Sequence, residues 1–200
     1  MPIFFSSLWP GLTVWSLLYI SDYTFTIVCA RLYRSRVSEK LVFEGRFELN
    51  PVFQQDVDSL RLISPRFIAM LFISGLLLAW VWFLASQSTR EFYEFMLGFM
   101  ILLESAIHVR HLRNFFTFRM FSESGCVRDR IEYSRPFILR TSSTELFAFS
   151  AVFLLLFAFT QSWFVLGGAS SCALTAMKHR QLARRALSKE PIVVHPQSTS

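Results

Sequence analysis

The last third of the chain contains a long uncharged stretch, and its length restricts what the protein can fold into. No acidic or basic residue occurs from Leu146 to Met177. As one helix this stretch would be about 48 Å long at 1.5 Å per residue, whereas the hydrocarbon core of a bilayer is about 30 Å thick. A tight reversal at residues 160–163 would divide it into two short spans. The sequence therefore predicts two membrane-crossing helices, at 145–160 and 162–177.

Three further apolar blocks precede this stretch. Residues 8–30 are interrupted only by Asp22, residues 66–86 carry no charge beyond their first position, and a third block covers 92–111. Each block is close to the roughly 20 residues that cross a hydrocarbon core. Charged residues form only 17% of the chain, against about 25% in an average soluble domain. We therefore predict an all-α, polytopic transmembrane helical bundle of five spans, a single membrane domain over residues 1–200.

The positions of the basic residues predict the orientation of this bundle. Of the 20 Lys and Arg residues, all but Arg90 fall in or beside the segments 31–65, 112–144 and 178–200. These segments face the same side of the membrane in a five-span chain, and cytoplasmic loops carry an excess of Lys and Arg. We predict a multi-pass protein of the plasma (inner) membrane, with its N-terminus outside and its C-terminus cytoplasmic. The Trp residues would then lie in the outer half of the membrane: Trp9, Trp15, Trp80, Trp82 and Trp163.

The net charge of +6 has a membrane explanation. The basic residues flank apolar spans, where such residues set topology and meet anionic lipid headgroups. The predicted partners are therefore the lipid bilayer and anionic headgroups at the basic cytoplasmic loops, and no nucleic acid. Small residues recur four positions apart in the last span, as Gly167 with Ser171 and Gly168 with Cys172, which favours close helix packing. Packing within the bundle is expected, with a homo-oligomer or a partner membrane protein left open.

Local patterns predict three features at the ends of the spans. Asn50-Pro51 is typical of an N-cap followed by proline at the first helical position, and it opens an amphipathic segment at 50–64, expected on the inner leaflet or packed under the bundle. Residues 126–140 alternate weakly and are expected to form a small extended turn. The pattern Ser142-Ser143-Thr144-Glu145 matches a capping box. The fourth span is therefore expected to begin there, which gives Glu145 a structural role.

Ionisable residues inside the spans mark a candidate site, because each costs about 2.5–3.5 kcal/mol at the centre of a membrane helix. Glu104, His108 and His111 are spaced i, i+4, i+7 and share one stripe of the third span. A carboxylate and two imidazoles on one face match the ligands of a divalent metal such as zinc or iron. Asp22 lies at a similar depth in the first span. Asp22 and Glu48 are the candidate catalytic residues, each as a further ligand or as a general base.

Three functions are compatible with this pattern. The first expectation is a structural, assembly or accessory role without an assignable catalytic activity. The second is a membrane-embedded metalloenzyme that acts on a lipid or a membrane peptide. The third is a small proton-coupled transporter with Asp22 and Glu104 as a relay. A transporter would need a polar path that continues to Glu94 and Glu91 at the outer face.

Two short motifs occur in the first half of the chain: Asp22-Tyr23-x-Phe25-Thr26 and Glu44-Gly45-x-Phe47-Glu48-Leu49-Asn50-Pro51. With them the chain resembles small uncharacterised prokaryotic multi-span membrane proteins, in which an Asp/Thr-bearing first helix precedes a Gly-x-x-Glu-x-Asn-Pro segment. The resemblance covers roughly residues 20–65. It implies a multi-span membrane protein in which Asp22, Glu48 and Asn50 belong together, and it carries no activity.

Overall fold

The computed structural model describes residues 5–44, 52–85, 90–123 and 129–188, and these residues are mainly helical. The helices are α1 (Leu8–Leu32), α2 (Gln54–Asp58), α3 (Pro65–Ala85), α4 (Arg90–Glu123), α5 (Arg135–Thr160) and α6 (Trp163–Leu187). A π-helical segment, Tyr33–Val37, continues α1. Two short strands, β1 (Leu41–Phe43) and β2 (Ile131–Tyr133), pair in parallel. The predicted helical class is confirmed, with this strand pair as an addition that an all-α fold did not include.

Within the described residues, four segments are long and apolar enough to cross a membrane: Leu8–Val37, Pro65–Ala85, Arg90–Ser122 and Arg135–Thr160. Helix α6 is not in this set, because its uncharged part ends at Met177 and the charged residues Lys178 and Arg180 follow within the same helix. The number of spans and their orientation therefore stay predictions.

The predicted reversal at residues 160–163 is confirmed. Helix α5 ends at Gln161, which has the left-handed backbone conformation (φ 51°) and donates its N–H to the carbonyl oxygen of Phe157 at 2.8 Å. Helix α6 then begins at Trp163 after Ser162. The two helices form an antiparallel hairpin from this turn.

The predicted start of the fourth span at Ser142 is wrong. Helix α5 already begins at Arg135, with Ser134 as its N-cap. Ser142 and Ser143 are buried inside the helix, where Ser143 Oγ donates to the carbonyl oxygen of Ala176 in α6 at 2.9 Å. Their hydroxyls serve contacts between helices and not a helix end. The polar first half of α5 was missed because only the apolar run was used to locate the span.

Glu145 has a structural role, although it is not the one predicted. Arg110 Nε of α4 lies 3.4 Å from Glu145 Oε2, and Arg113 forms a short ion pair with the same carboxylate. Arg110 and Glu145 are partly shielded from solvent, whereas Arg113 is exposed, and the carboxylate of α5 holds two cations of α4. This network ties α4 to α5 near the predicted cytoplasmic end of the bundle.

The amphipathic segment predicted at 50–64 is shorter than expected. Within the described residues its helical part is α2, which has five residues, and Leu60 has a left-handed backbone (φ 52°) that prevents its continuation. The predicted N-cap at Asn50 lies outside the described residues. Asp56 is buried and accepts a hydrogen bond from Ser64 Oγ at 2.7 Å. The segment therefore folds back onto the bundle.

Helix α1 is the central element of the apolar core. One cluster joins it to α3 and α4 through Trp15, Leu78 and Leu97. A second cluster joins it to α2 through Ile27 and Val57. These clusters hold α1 against α3 and α4 on one part of its length, and against α2 on another.

Helices α4 and α6 approach each other very closely. A Cβ atom added to Gly98 would collide with the carbonyl oxygen of Phe164, and one added to Gly167 would collide with the carbonyl oxygen of Phe95. Gly168 is also buried against α4. The small residues of the last helix therefore pack within the chain, as the spacing predicts.

Candidate metal-binding site

Helices α1 and α4 run side by side in the same direction, and this places their ionisable residues together. Near the first turns, a Cβ atom on Gly11 would lie 2.6 Å from the hydroxyl oxygen of Tyr93, so the helix starts are level. Asp22 and Glu104 are each about 21 Å from the first residue of their helix at 1.5 Å per residue. The two carboxylates therefore meet at the same depth of the bundle.

Three side chains converge there. Asp22, Glu104 and His108 each offer one potential ligand atom, and these atoms lie within 4.8 Å of one another. Ligand atoms about 2.0–2.2 Å from a common ion lie roughly 3–4 Å from each other, so side-chain adjustments of about an ångström would bring them into coordination. Two carboxylates and one imidazole form a donor set that suits zinc, iron(II) or manganese(II).

Glu104 is enclosed without a complete set of partners. The residue is 9% exposed, and its Oε2 atom has no hydrogen-bond partner among the described residues. Buried polar atoms are nearly always paired in folded proteins. A second carboxylate, that of Asp22, lies next to it, and either a proton or a cation shared between the two groups would relieve their repulsion. A bound cation would satisfy both requirements.

The imidazole of His108 is oriented for coordination. Its Nδ1 lies 2.7 Å from the backbone carbonyl oxygen of Glu104, and since a carbonyl can only accept, Nδ1 carries the proton. Nε2 therefore carries the lone pair, 2.6 Å from Ser21 Oγ. Ser21 Oγ also lies 2.9 Å from the carbonyl oxygen of Leu18. Its hydroxyl can donate there when Nε2 binds an ion, and a backbone carbonyl that fixes an imidazole is common at metal sites.

His111 lies beside the three donors and contacts one of them. Its Nε2 is 2.8 Å from Asp22 Oδ1 and 3.4 Å from Thr26 Oγ1. The sequence predicts His111 as a metal ligand, whereas the structure places it as a hydrogen-bonding partner of Asp22. A hydrogen bond from such a histidine holds the carboxylate in one orientation.

The other predicted residues are distributed as follows. Glu48 and Asn50, which the resemblance links to Asp22, lie outside the described residues. Sequence reasoning did not identify Ser21, although a short polar residue next to Asp22 within an apolar helix is a signal that was present. Thr24 faces away and donates to the carbonyl oxygen of Ile20 at 2.8 Å.

Apolar residues close the site on its predicted outer side. Leu97 and Ile101 are buried between Glu104 and the outer end of α4. Glu94, nearer that end, forms an ion pair with Arg90 at 3.4 Å. Among the described residues no hydrogen bond links Glu94 to Glu104. The polar path that a proton-coupled transporter requires is therefore interrupted over two helical turns.

Comparisons of the chain with protein-family models, with curated proteins and with solved structures found no match. The geometry of the site is therefore the basis for a functional assignment.

Proposed function

We propose that this chain is an integral membrane protein that holds a divalent transition-metal ion between α1 and α4, as the centre of a membrane-embedded metalloenzyme. The observation that carries the proposal is the convergence of Asp22, Glu104 and His108 from two helices. The Oε2 atom of Glu104 has no hydrogen-bond partner among the described residues. This supports the proposal, because a bound ion would give the buried atom a partner.

The proposal places five spans in the membrane. Helix α6 packs along the length of α4 and α5: Gly98 contacts Phe164 near one end, Ser150 Oγ donates to the carbonyl oxygen of Ala169 at 2.9 Å, and Ser143 reaches Ala176 further along. Helix α6 therefore occupies the same depth as its neighbours, although its hydropathy is lower. The basic residues support an outside N-terminus.

The chemistry follows from the donor set. Asp22, Glu104 and His108 would hold such an ion, which would polarise an ester or amide oxygen or activate water. Asp22, oriented by His111 at 2.8 Å, would accept the proton that the water releases. Because the site lies at bilayer depth in this arrangement, its substrates would be lipids or membrane peptides.

The competing functions have weaker support. An accessory protein would be expected to give both buried carboxylates ordinary hydrogen-bond partners. Asp22 has such a partner in His111, whereas Glu104 Oε2 has none among the described residues. A proton-coupled transporter would need the outer path that Leu97 and Ile101 interrupt.

Elemental analysis of detergent-purified protein tests the proposal. We expect about one equivalent of zinc, iron or manganese per chain in the wild type, and no retained metal in Glu104→Gln and His108→Asn, each of which removes a ligand. The matched controls are Glu91→Gln, an exposed carboxylate of the same helix, and His179→Asn, an imidazole that contacts Ser142. Both controls should keep the metal. If the wild-type protein binds no metal after incubation with each ion, the proposal is wrong. The accessory role would then be favoured instead.

A further inference from the structure

A basic cleft lies between the ends of the same two helices, beyond the metal-binding site. Arg31 at the end of α1, Arg36 in the π-helical segment and Arg119 of α4 line a cavity of about 450 Å³. The described residues that line it include no carboxylate. Three guanidinium groups therefore line a space that is open to solvent and accessible to an anion.

The local backbone explains why these arginines face one space. In the π-helical segment Val37 is fully buried, in one cluster with Phe118 of α4. Its neighbour Arg36 is exposed and lines the cleft. Val37 thus fixes one side of the segment against α4, and Arg36 faces the cleft on the other side.

The chemistry of the lining fits a phosphate group. Guanidinium groups bind phosphate through paired, charge-assisted hydrogen bonds. Ser35 and Ser122 add two hydroxyls to the lining, and Phe115 and Leu32 add apolar surface. A lining that combines cationic, hydroxyl and apolar side chains matches an amphiphile more closely than a free ion.

The adjoining helix surfaces also favour an amphiphile. Val28 is one helical turn before the cleft on α1, and Leu112 is one turn before Phe115 on α4. Both are exposed, to 39% and 44% respectively. An acyl chain that continues from a headgroup in the cleft would lie along these side chains.

We propose that this cleft binds the phosphate of an anionic phospholipid headgroup, with an acyl chain along Val28 and Leu112. The headgroup would lie among Arg31, Arg36 and Arg119. The inference depends on the membrane placement proposed above and is independent of the metal. Three cationic side chains favour a headgroup of net negative charge over a zwitterionic one.

Lipid titration of the full-length protein in detergent tests this assignment. Native mass spectrometry would count bound phosphatidylglycerol and bound phosphatidylcholine of equal chain length. The variant is Arg36→Gln with Arg119→Gln, and the matched control is Arg140→Gln with Arg184→Gln, two exposed arginines of α5 and α6. We expect saturable binding of one phosphatidylglycerol, weakened about tenfold or more in the cleft variant and unchanged in the control.

Each other outcome would overturn the proposal. Equal binding of phosphatidylglycerol by the cleft variant and the wild type would place the lipid elsewhere. If the wild type retained as much phosphatidylcholine as phosphatidylglycerol, binding would not require an anionic headgroup. Displacement of the lipid by inorganic phosphate at equal concentration would assign the cleft to a soluble anion. A chain that spans the bilayer can be extracted from membranes only with detergent. Testing the extraction of the same preparations therefore separates failure of this inference from failure of the membrane placement.

Discussion

The hydrogen bond between His111 and Asp22 distinguishes the two carboxylates of the site. Asp22 has an imidazole at 2.8 Å, whereas Glu104 meets apolar surroundings and the second carboxylate. The pair therefore has one oriented member and one member, Glu104, whose Oε2 atom has no hydrogen-bond partner among the described residues. His111 acts through Asp22 and is a positioning residue.

Replacing His111 by Asn should weaken metal binding without abolishing it. The Asn side chain is shorter and cannot hold Asp22 in the same orientation, and loss of such an outer partner typically costs about 10- to 100-fold in metal affinity. Competition with a metal chelator would measure the affinity. An effect as large as that of His108→Asn would instead make His111 a direct ligand.

The residues of the site were predictable in part. The i, i+4 spacing of Glu104 and His108 gives one helical face from sequence alone, and counting along the spans gives the matching depth of Asp22. The division of roles between His108 and His111 was not predictable. It depends on the rotation of α1 against α4, which is set by packing around Gly11 and not by local sequence.

At the scale of the elements, the contact between α4 and α6 depends on the absence of side chains. Replacing Gly98 by Ala should separate the two helices, because its Cβ would collide with backbone atoms of Phe164. We expect a destabilisation of at least about 3 kcal/mol, measured as a lower midpoint of thermal or denaturant unfolding in detergent.

Gly75 offers a control for this substitution. A Cβ there would lie 3.4 Å from a flexible side-chain atom of Leu12, so Gly75→Ala should change stability by less than about 1 kcal/mol. Comparable losses for Gly98→Ala and Gly75→Ala would contradict the close backbone approach of α4 and α6.

The bounds of the helices were predictable where an apolar run of residues determines them. Helix α3 agrees with the predicted span 66–86 because it is apolar throughout. Helix α4 extends beyond the predicted span 92–111, to 34 residues, and α5 begins before 145. These extensions are stabilised by polar contacts between helices, such as Arg113 with Glu145 and Ser143 with the carbonyl oxygen of Ala176. An apolar window does not detect such contacts.

At the scale of the whole molecule, the five-span arrangement predicts that the two chain ends lie on opposite sides of the membrane. Epitope tags at each end, tested for protease access in oriented vesicles, should show a protected C-terminal tag when the N-terminal tag is cleaved. The positive-inside rule is the physical reason. If both tags are cleaved from the same side, α6 does not cross the membrane.

The pairing of β1 with β2 joins parts of the chain that are far apart in sequence. Ile131 donates its N–H to the carbonyl oxygen of Lys40 at 2.8 Å, and Glu44 donates to that of Tyr133 at 2.9 Å. Everything between these strands, including α2, α3 and α4, forms a loop that the pair closes. Long loops impose an entropic penalty on closure, and contacts of high sequence separation form late. The strand pair is therefore expected to form late in folding, after α4 has packed against α1.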